Sequence, residues 1–203
     1  MRVMDAIHGQ FLIGRRARVL SGHIATLLPS RASVLDVGCG DGDIARRIME
    51  TRPDISIHGI DVLVRPETAI PVDEFDGSHF PFADHTFDVV TFVDVLHHTD
   101  DPTALLAEAS RVARKSVVIK DHLVRGVLAR PTLRLMDMVG NVRHGVALPF
   151  NYLTYPEWET AFAAARLAIV RRENRLSIYP WPATLVFDRK LHFIAELTVP
   201  QSR

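Results

Sequence analysis

Three places in the sequence carry side chains whose types and spacing could do chemistry. The first is Val34-Leu35-Asp36-Val37-Gly38-Cys39-Gly40-Asp41-Gly42. Its first four residues read as a short buried strand, and three glycines in five positions then force a tight turn. Without Cβ atoms that turn lets a ligand lie against the backbone. The second is Asp61, which ends Ile55–Ile60, a segment that reads as a second strand. It lies near the spacing from a glycine loop at which a carboxylate accepts from both hydroxyls of a ribose; the plainer reading is a strand-end turn residue. The third is His97-His98, which follows the run Phe87–Val95. A histidine near neutral pKa can take a proton from a hydroxyl. Equally, one ring could cap the next helix and the other pack beneath the loop.

Charge and spacing narrow the ligand of the glycine loop. A dinucleotide fingerprint needs G-x-G-x-x-G, but the third position is Asp43, with Gly42 one place early. Asp36 and Asp41 flank the loop, where they would repel a pyrophosphate and attract a cation. S-adenosylmethionine carries a sulfonium, an ammonium, a ribose and an adenine, and no phosphate. At this point Leu35-Asp36-Val37-Gly38-Cys39-Gly40-Asp41-Gly42 resembles the first motif of the class I S-adenosylmethionine-dependent methyltransferases, of the methyltransferase type 11 or quinone-biosynthesis kind.

The resemblance runs motif by motif over residues 33 to 122 and beyond them only in the order of elements. It implies cofactor contacts from Asp36, Gly38, Cys39 and Gly40, ribose binding by Asp61, and packing of Val62 on the adenine. Phe75–Asp84 is similar to the family's acid-small-x-x-L-P-F-x-D stretch, which makes Asp76 and Gly77 the adenine-recognising pair, although the bare dipeptide is simply a turn. Phe92 and Val93, where the central strand ends, join the cofactor-binding set. The product would be S-adenosylhomocysteine.

These side chains need a particular scaffold. Strand, glycine loop and helix in succession imply an α/β fold, a three-layer Rossmann-like doubly wound sheet of about seven strands. Leu20, Ile24, Leu27 and Leu28 have helical spacing within Ile7–Leu28, one or two helices that the family resemblance places over the cofactor. Arg15, Arg16 and Arg18 there form either a solvated face or a contact for a substrate carboxylate. Pro66 and Pro71 leave little room for the crossover helix the family usually has after its second strand. Asp101-Pro102 starts a helix through Val112, with an acid cap and a proline in its first turn.

Ser116–Ile119 reads as a fifth strand, with Lys120, Asp121 and His122 at its exit as candidate acceptor contacts or a pair that merely closes the sheet edge. Residues 123 to 151 look like a helical lid inserted after that strand, split into two short helices by Pro131. Met136 and Met138 suit a bulky apolar acceptor or ordinary packing. The polar loop that follows contributes Asn141, Asn151 and Tyr152 as acceptor-site candidates. Ala168–Ile178 and Leu185–Leu197 read as two long strands joined at Tyr179-Pro180-Trp181-Pro182. With no helix between them they should be antiparallel, matching the reversed last strand of the family.

At 203 residues and 47% hydrophobic, the chain forms one domain, 1–203, with a full core. Lys+Arg and Asp+Glu both number 24, so no electrostatic footprint for nucleic acid or an anionic membrane exists. No transmembrane or signal segment is expected, and with Cys39 as the one cysteine a reducing cytoplasm fits. No metal-ligand set of convincing spacing appears among the ten histidines. The expected activity is methyl transfer to a small molecule of quinone, lipid or secondary-metabolite type, with transient contact to a lipid-like substrate. A non-catalytic cofactor-binding subunit, a protein methyltransferase and a nicotinamide-dependent oxidoreductase are the competing readings.

Overall fold

The computed structural model describes the backbone of residues 2–141 and 149–200 and the side chains of 14–139 and 149–200. The elements are α1 (Arg2–Ala25), β1 (Ser33–Val37), α2 (Asp43–Thr51), β2 (Ser56–Asp61), β3 (Val72–Glu74), β4 (Phe87–Val93), a 3-10 turn (Leu96–His98), α3 (Pro102–Val112), β5 (Ala113–His122), α4 (Ala129–Asn141), α5 (Tyr155–Ala164), β6 (Ala168–Glu173), α6 (Thr184–Phe187) and β7 (His192–Thr198). The strands form one sheet in the order β3-β2-β1-β4-β5-β7-β6. β7 is antiparallel to both neighbours, and the remaining pairings are parallel. This is the expected α/β architecture with a reversed last strand.

Alternation along the central strands builds the layers. Leu35, Val37, Val90, Phe92, Val117 and Ile119 point to one face, where they pack with Leu106 and Ala109 of α3 and with Trp158 and Phe162 of α5. Val34, Val89 and Val118 point to the other and meet Leu20 and Ile24 of α1 and Ala45 and Ile48 of α2. A strand buried on both faces has to be apolar throughout, so the polar residues collect at its ends. A third, small cluster of Ala129, Leu133, Tyr152 and Leu191 seats α4.

Residues 2–25 form one helix, one of the two arrangements the sequence allowed. The structure departs from the sequence expectations at two points. Pro131 does not split 129–141, because it sits in the first turn of α4, where a missing N–H costs nothing. The two long C-terminal strands are shorter than expected. β6 stops at Glu173, whose carboxylate accepts from the N–H groups of Asn174 and Arg175 and turns the chain. Arg15 then captures the carbonyl oxygens of Ser177 and Ile178, taking those acceptors away from the sheet. Between β2 and β3 no helix forms, in keeping with Pro66 and Pro71.

The start of α3 follows its sequence signature, with Pro102 in the first turn and the Asp101 side chain accepting from the Ala104 N–H at 3.0 Å. Replacing Asp101 by alanine is expected to lower unfolding free energy by about 1 kcal/mol in urea titrations, while Asp101→Asn retains nearly all of it.

Candidate functional site

Two groups of side chains converge at the carboxyl ends of the parallel strands, where open α/β sheets bind ligands. The first surrounds the glycine loop after β1. Gly38 has φ +67° and Gly40 has φ +60°. A Cβ on Gly38 would stand 2.6 Å from a methyl of Val95, so glycine is required there by space as well as by backbone conformation. At Gly40 a Cβ would meet no protein atom within 4 Å, leaving the loop open toward solvent. The loop is tied to β2: the Gly38 N–H donates to the Ile60 carbonyl at 2.7 Å, and the Gly40 N–H to Asp61 Oδ2 at 2.8 Å. Asp61 Oδ1 accepts from the Leu63 N–H at 2.9 Å. Each carboxylate oxygen keeps a second lone pair for a ligand.

Asp36 lies beneath this loop and is buried. The β1–β4 register sets Asp36 opposite Thr91, and the Thr91 hydroxyl donates to Asp36 at 2.7 Å. Among the described residues no cationic side chain pairs with it. Burial therefore pushes the Asp36 carboxyl up to about 6, against the Thr91 hydrogen bond, with the negative charge of Asp61 adding to the shift. Cys39 turns its side chain toward Gly59, where a Cβ would come within 2.4 Å of Sγ, so Cys39 offers a ligand only backbone. Burial raises its thiol pKa.

Val62 is 56% exposed at the same rim, and a Cβ on Gly77 would lie 3.2 Å from it. The turn carrying Asp76 and Gly77 thus stands beside Val62. Asp76 Oδ1 is engaged by its own turn, accepting from the N–H groups of Ser78 and His79 at 2.7 Å each, which lowers its pKa. Asp76 Oδ2 faces the His79 ring at 3.3 Å. Phe92 is fully buried in the core and presents only backbone, while Val93 is half-buried at the strand end.

The second group lies beyond β4 and β5. Asp94, in the left-handed conformation just after β4, receives ion pairs from Arg16 of α1 and Lys120 of β5. Burial opposes its ionised form, but Lys120 and Arg16 hold its pKa well below the usual carboxylate range. Asp121 has no exposed surface and accepts from the Leu96 N–H at 3.0 Å, His97 Nδ1 at 2.7 Å and the His122 N–H at 2.6 Å.

His97 is 1% exposed. Its Nε2 lies 3.3 Å from Asp137 Oδ2, yet has no hydrogen-bond partner among the described residues, so that contact is electrostatic rather than a formed hydrogen bond. Burial disfavours the charged ring, but Asp121 and Asp137 prevail and lift His97 to about 10. His98 is half-buried, its Nδ1 sequestered without a partner, and burial and the neighbouring His97 charge lower it to about 4. His122 pairs with His192 across the β5–β7 register, Nδ1 to Nδ1 at 3.2 Å. The Tyr152 hydroxyl donates to Asp137. Asn151 is half-buried, donating its side-chain amide to the Thr99 carbonyl at 3.1 Å and its backbone N–H to the His97 carbonyl at 3.2 Å. The Asn141 side chain and residues 142–148 lie outside the described residues.

A family described as a methyltransferase domain matches residues 12–171. The chain belongs to that family. It is 31% identical over 110 residues to the 27-O-demethylrifamycin SV methyltransferase of Amycolatopsis mediterranei, covering 47% of this chain and 40% of that protein. Over 95 residues it is 34% identical to the ubiquinone/menaquinone biosynthesis C-methyltransferase UbiE of Desulfotalea psychrophila, covering 42% and 39%. The chain thus spans about two-fifths of the length of these relatives, 40% and 39%. Among solved structures, the complex of the Haloferax volcanii Trm112 methyltransferase activator with a putative methyltransferase superposes with a TM-score of 0.71 over 95% of this chain and 93% of that one, at 16% identity. Such a likeness speaks for the class I methyltransferase fold alone.

The sequence reading missed Asp94, Asp137, His192 and the pairing of Arg16. Asp137 had a local signal: it continues the buried i, i+4, i+8 stripe of Ala129 and Leu133. A lone acid on such a stripe needs a partner inside. His192 and Arg16 had none, since β7 and α1 reach the site only through tertiary packing.

Asp36 supplies a sign-determined prediction. Its folded pKa is raised, so its stabilising contribution is complete below about pH 4 and is lost as pH rises through about 6. In the ligand-free protein Asp36→Asn should abolish a decline of about 2–3 kcal/mol between those limits, read as the difference between variant and wild-type urea midpoints across the pH range.

Proposed function

We propose that this domain transfers a methyl group from S-adenosylmethionine to a small-molecule acceptor of quinone, lipid or secondary-metabolite type, leaving S-adenosylhomocysteine. The observation that carries the reading is Asp36, a buried carboxylate under an open glycine loop with no cationic partner among the described residues. A cationic ligand compensates it, and a pyrophosphate would aggravate it. The cradle fits the cofactor in other respects. Asp61 keeps lone pairs beside Gly40 for ribose hydroxyls, and Val62 with the Asp76–Gly77 turn offers an apolar and polar pair for an adenine.

When bound, the cofactor supplies a methyl group on a good leaving group. The chain's own part is to hold the acceptor in line and to exclude water, which accounts for most of the acceleration in such a displacement. We assign residues 123–151 to a lid over the acceptor. Leu135, Met138 and Val139 of α4 are exposed, which supports an apolar, adaptable cover. Asp121, His122 and Tyr152 are buried and therefore act on the acceptor by positioning, and Asn151 braces the loop of His97. His98 is the half-buried member of the histidine pair and stands nearer the acceptor, whereas His97 positions. Among the described residues no helix is long and apolar enough to cross a membrane. The single cysteine fits a cytoplasmic setting.

A second reading, a cofactor-binding subunit without turnover, is favoured by the engagement of His97 with Asp121 and Asp137, and of Tyr152 with Asp137. Calorimetric titration with S-adenosylmethionine, S-adenosylhomocysteine and NAD should give micromolar binding of the first two and none of the third. Asp61→Ala should weaken that binding by roughly 1.5–3 kcal/mol, the worth of a hydrogen bond to a charged group. Binding without methylation of any quinone-like, lipid-like or aromatic acceptor would transfer the assignment to the subunit reading; binding of NAD alone would remove both.

A further inference from the structure

We infer that His97, His98 and Asp137 form a binding site for a divalent transition-metal ion, with Asp121, Tyr152 and His122 holding the ligands in place. The three residues present ligand atoms within 4.8 Å of one another. His97 Nδ1 is committed to Asp121 at 2.7 Å, which directs the second ring nitrogen, Nε2, away from that carboxylate. Among the described residues Nε2 is left without a hydrogen-bond partner in a side chain 1% exposed, and Nδ1 of the half-buried His98 is likewise a buried atom without one. The two rings lie 4.0 Å apart between centroids. Among the described residues the two imidazole nitrogens lack hydrogen bonds, His97 Nε2 having only its electrostatic contact with Asp137, and a desolvated nitrogen left so is costly. An ion between them satisfies both.

The spacing suits coordination. Metal–nitrogen bonds of about 2.0–2.1 Å set neighbouring ligand atoms of a tetrahedral site about 3.3 Å apart. His97 Nε2 lies 3.3 Å from Asp137 Oδ2, and His122 Nε2 lies 3.3 Å from Asp137 Oδ1. A metal-bound histidine commonly donates its other N–H to a carboxylate, and Asp121 stands in that relation to His97. Asp121 is itself fixed by the backbone N–H groups of Leu96 and His122. On the other side, the Tyr152 hydroxyl orients the Asp137 carboxylate. His192 Nδ1 stands 3.2 Å from the remaining nitrogen of His122 and 3.3 Å from Lys120 Nζ, and its own Nε2 reaches the Phe187 carbonyl at 3.1 Å, so the supporting ring is fixed on both sides.

Two imidazoles with one carboxylate select a borderline ion such as zinc, iron(II) or cobalt(II) over magnesium or calcium, which prefer oxygen ligands. Three protein ligands also leave coordination positions vacant, and half-buried His98 is the side from which a further ligand could reach them. The inference does not rest on the methyl-transfer reading, because the ligand set is defined without the glycine loop.

The test uses the full chain without an affinity tag, stripped with a chelator and dialysed, then titrated with cobalt(II) under a visible spectrometer and with zinc(II) in a calorimeter. One equivalent should bind with micromolar affinity or better, giving ligand-field bands that zinc abolishes. His98→Ala and Asp137→Asn should each weaken binding roughly 10- to 100-fold. His98 is half-buried, so its variant keeps the test open if Asp137→Asn fails to fold. Absence of saturable cobalt binding in the folded wild type, or affinity unchanged in folded His98→Ala, would overturn the site and leave His97 as a cation held between two carboxylates.

Discussion

A carboxylate taken out of water must be compensated, and the carboxyl edge of this sheet buries four of them. Asp36, Asp94, Asp121 and Asp137 are all shielded from solvent at the ends of the central strands or against them. Uncompensated, each would cost several kcal/mol. The arrangement of the surrounding elements follows from how that cost is met. Asp94 draws Arg16 from the first helix and Lys120 from the neighbouring strand onto one point. Asp121 is met by backbone N–H groups and His97, and Asp137 by Tyr152, His97 and His122. Asp36 alone of the four has a hydroxyl and no cation among the described residues.

That asymmetry divides the edge into two functional halves. On the β1–β2 side the compensation is incomplete and the backbone at Gly40 is open. Beyond β4 and β5 compensation is built from the protein itself and is dense. The 3-10 turn of Leu96–His98 belongs to the second half, yet Val95 just before it packs against Gly38 of the first. The two halves are also tied by the β1–β4 ladder and the Thr91–Asp36 hydrogen bond.

The sheet and the first half were legible in the sequence because their determinants are local. Val34–Gly42 contains its own strand, turn and helix start, and Asp61 follows within one βαβ unit, so spacing suffices to bring Gly40 and Asp61 together. Asp101-Pro102 likewise announces α3. The second half depends on residues far apart in the chain. Lys120, Asp121 and His122 are visible as polar residues on a strand, but nothing local says that all three point into the protein. The antiparallel β5–β7 register decides that, by setting His122 opposite His192. The C-terminal strands were read too long because the apolar Leu176 and Ile178 look like strand positions. They serve instead the core beneath α1, held there by Arg15.

Helix α4 shows why burial of charge matters beside burial of apolar area. α4 contributes Ala129 and Leu133 to a cluster of only four buried hydrophobic residues, and Leu135, Met138 and Val139 face outward. So small an apolar contact is a modest anchor. Arg189 donates to Thr132, Arg134 lies over the Phe150 ring, and Asp137 reaches in to Tyr152, His97 and His122. Withdrawing α4 would part those groups and leave His97 facing only Asp121. Where α4 sits therefore bears on the charge balance of the cluster as well as on its packing.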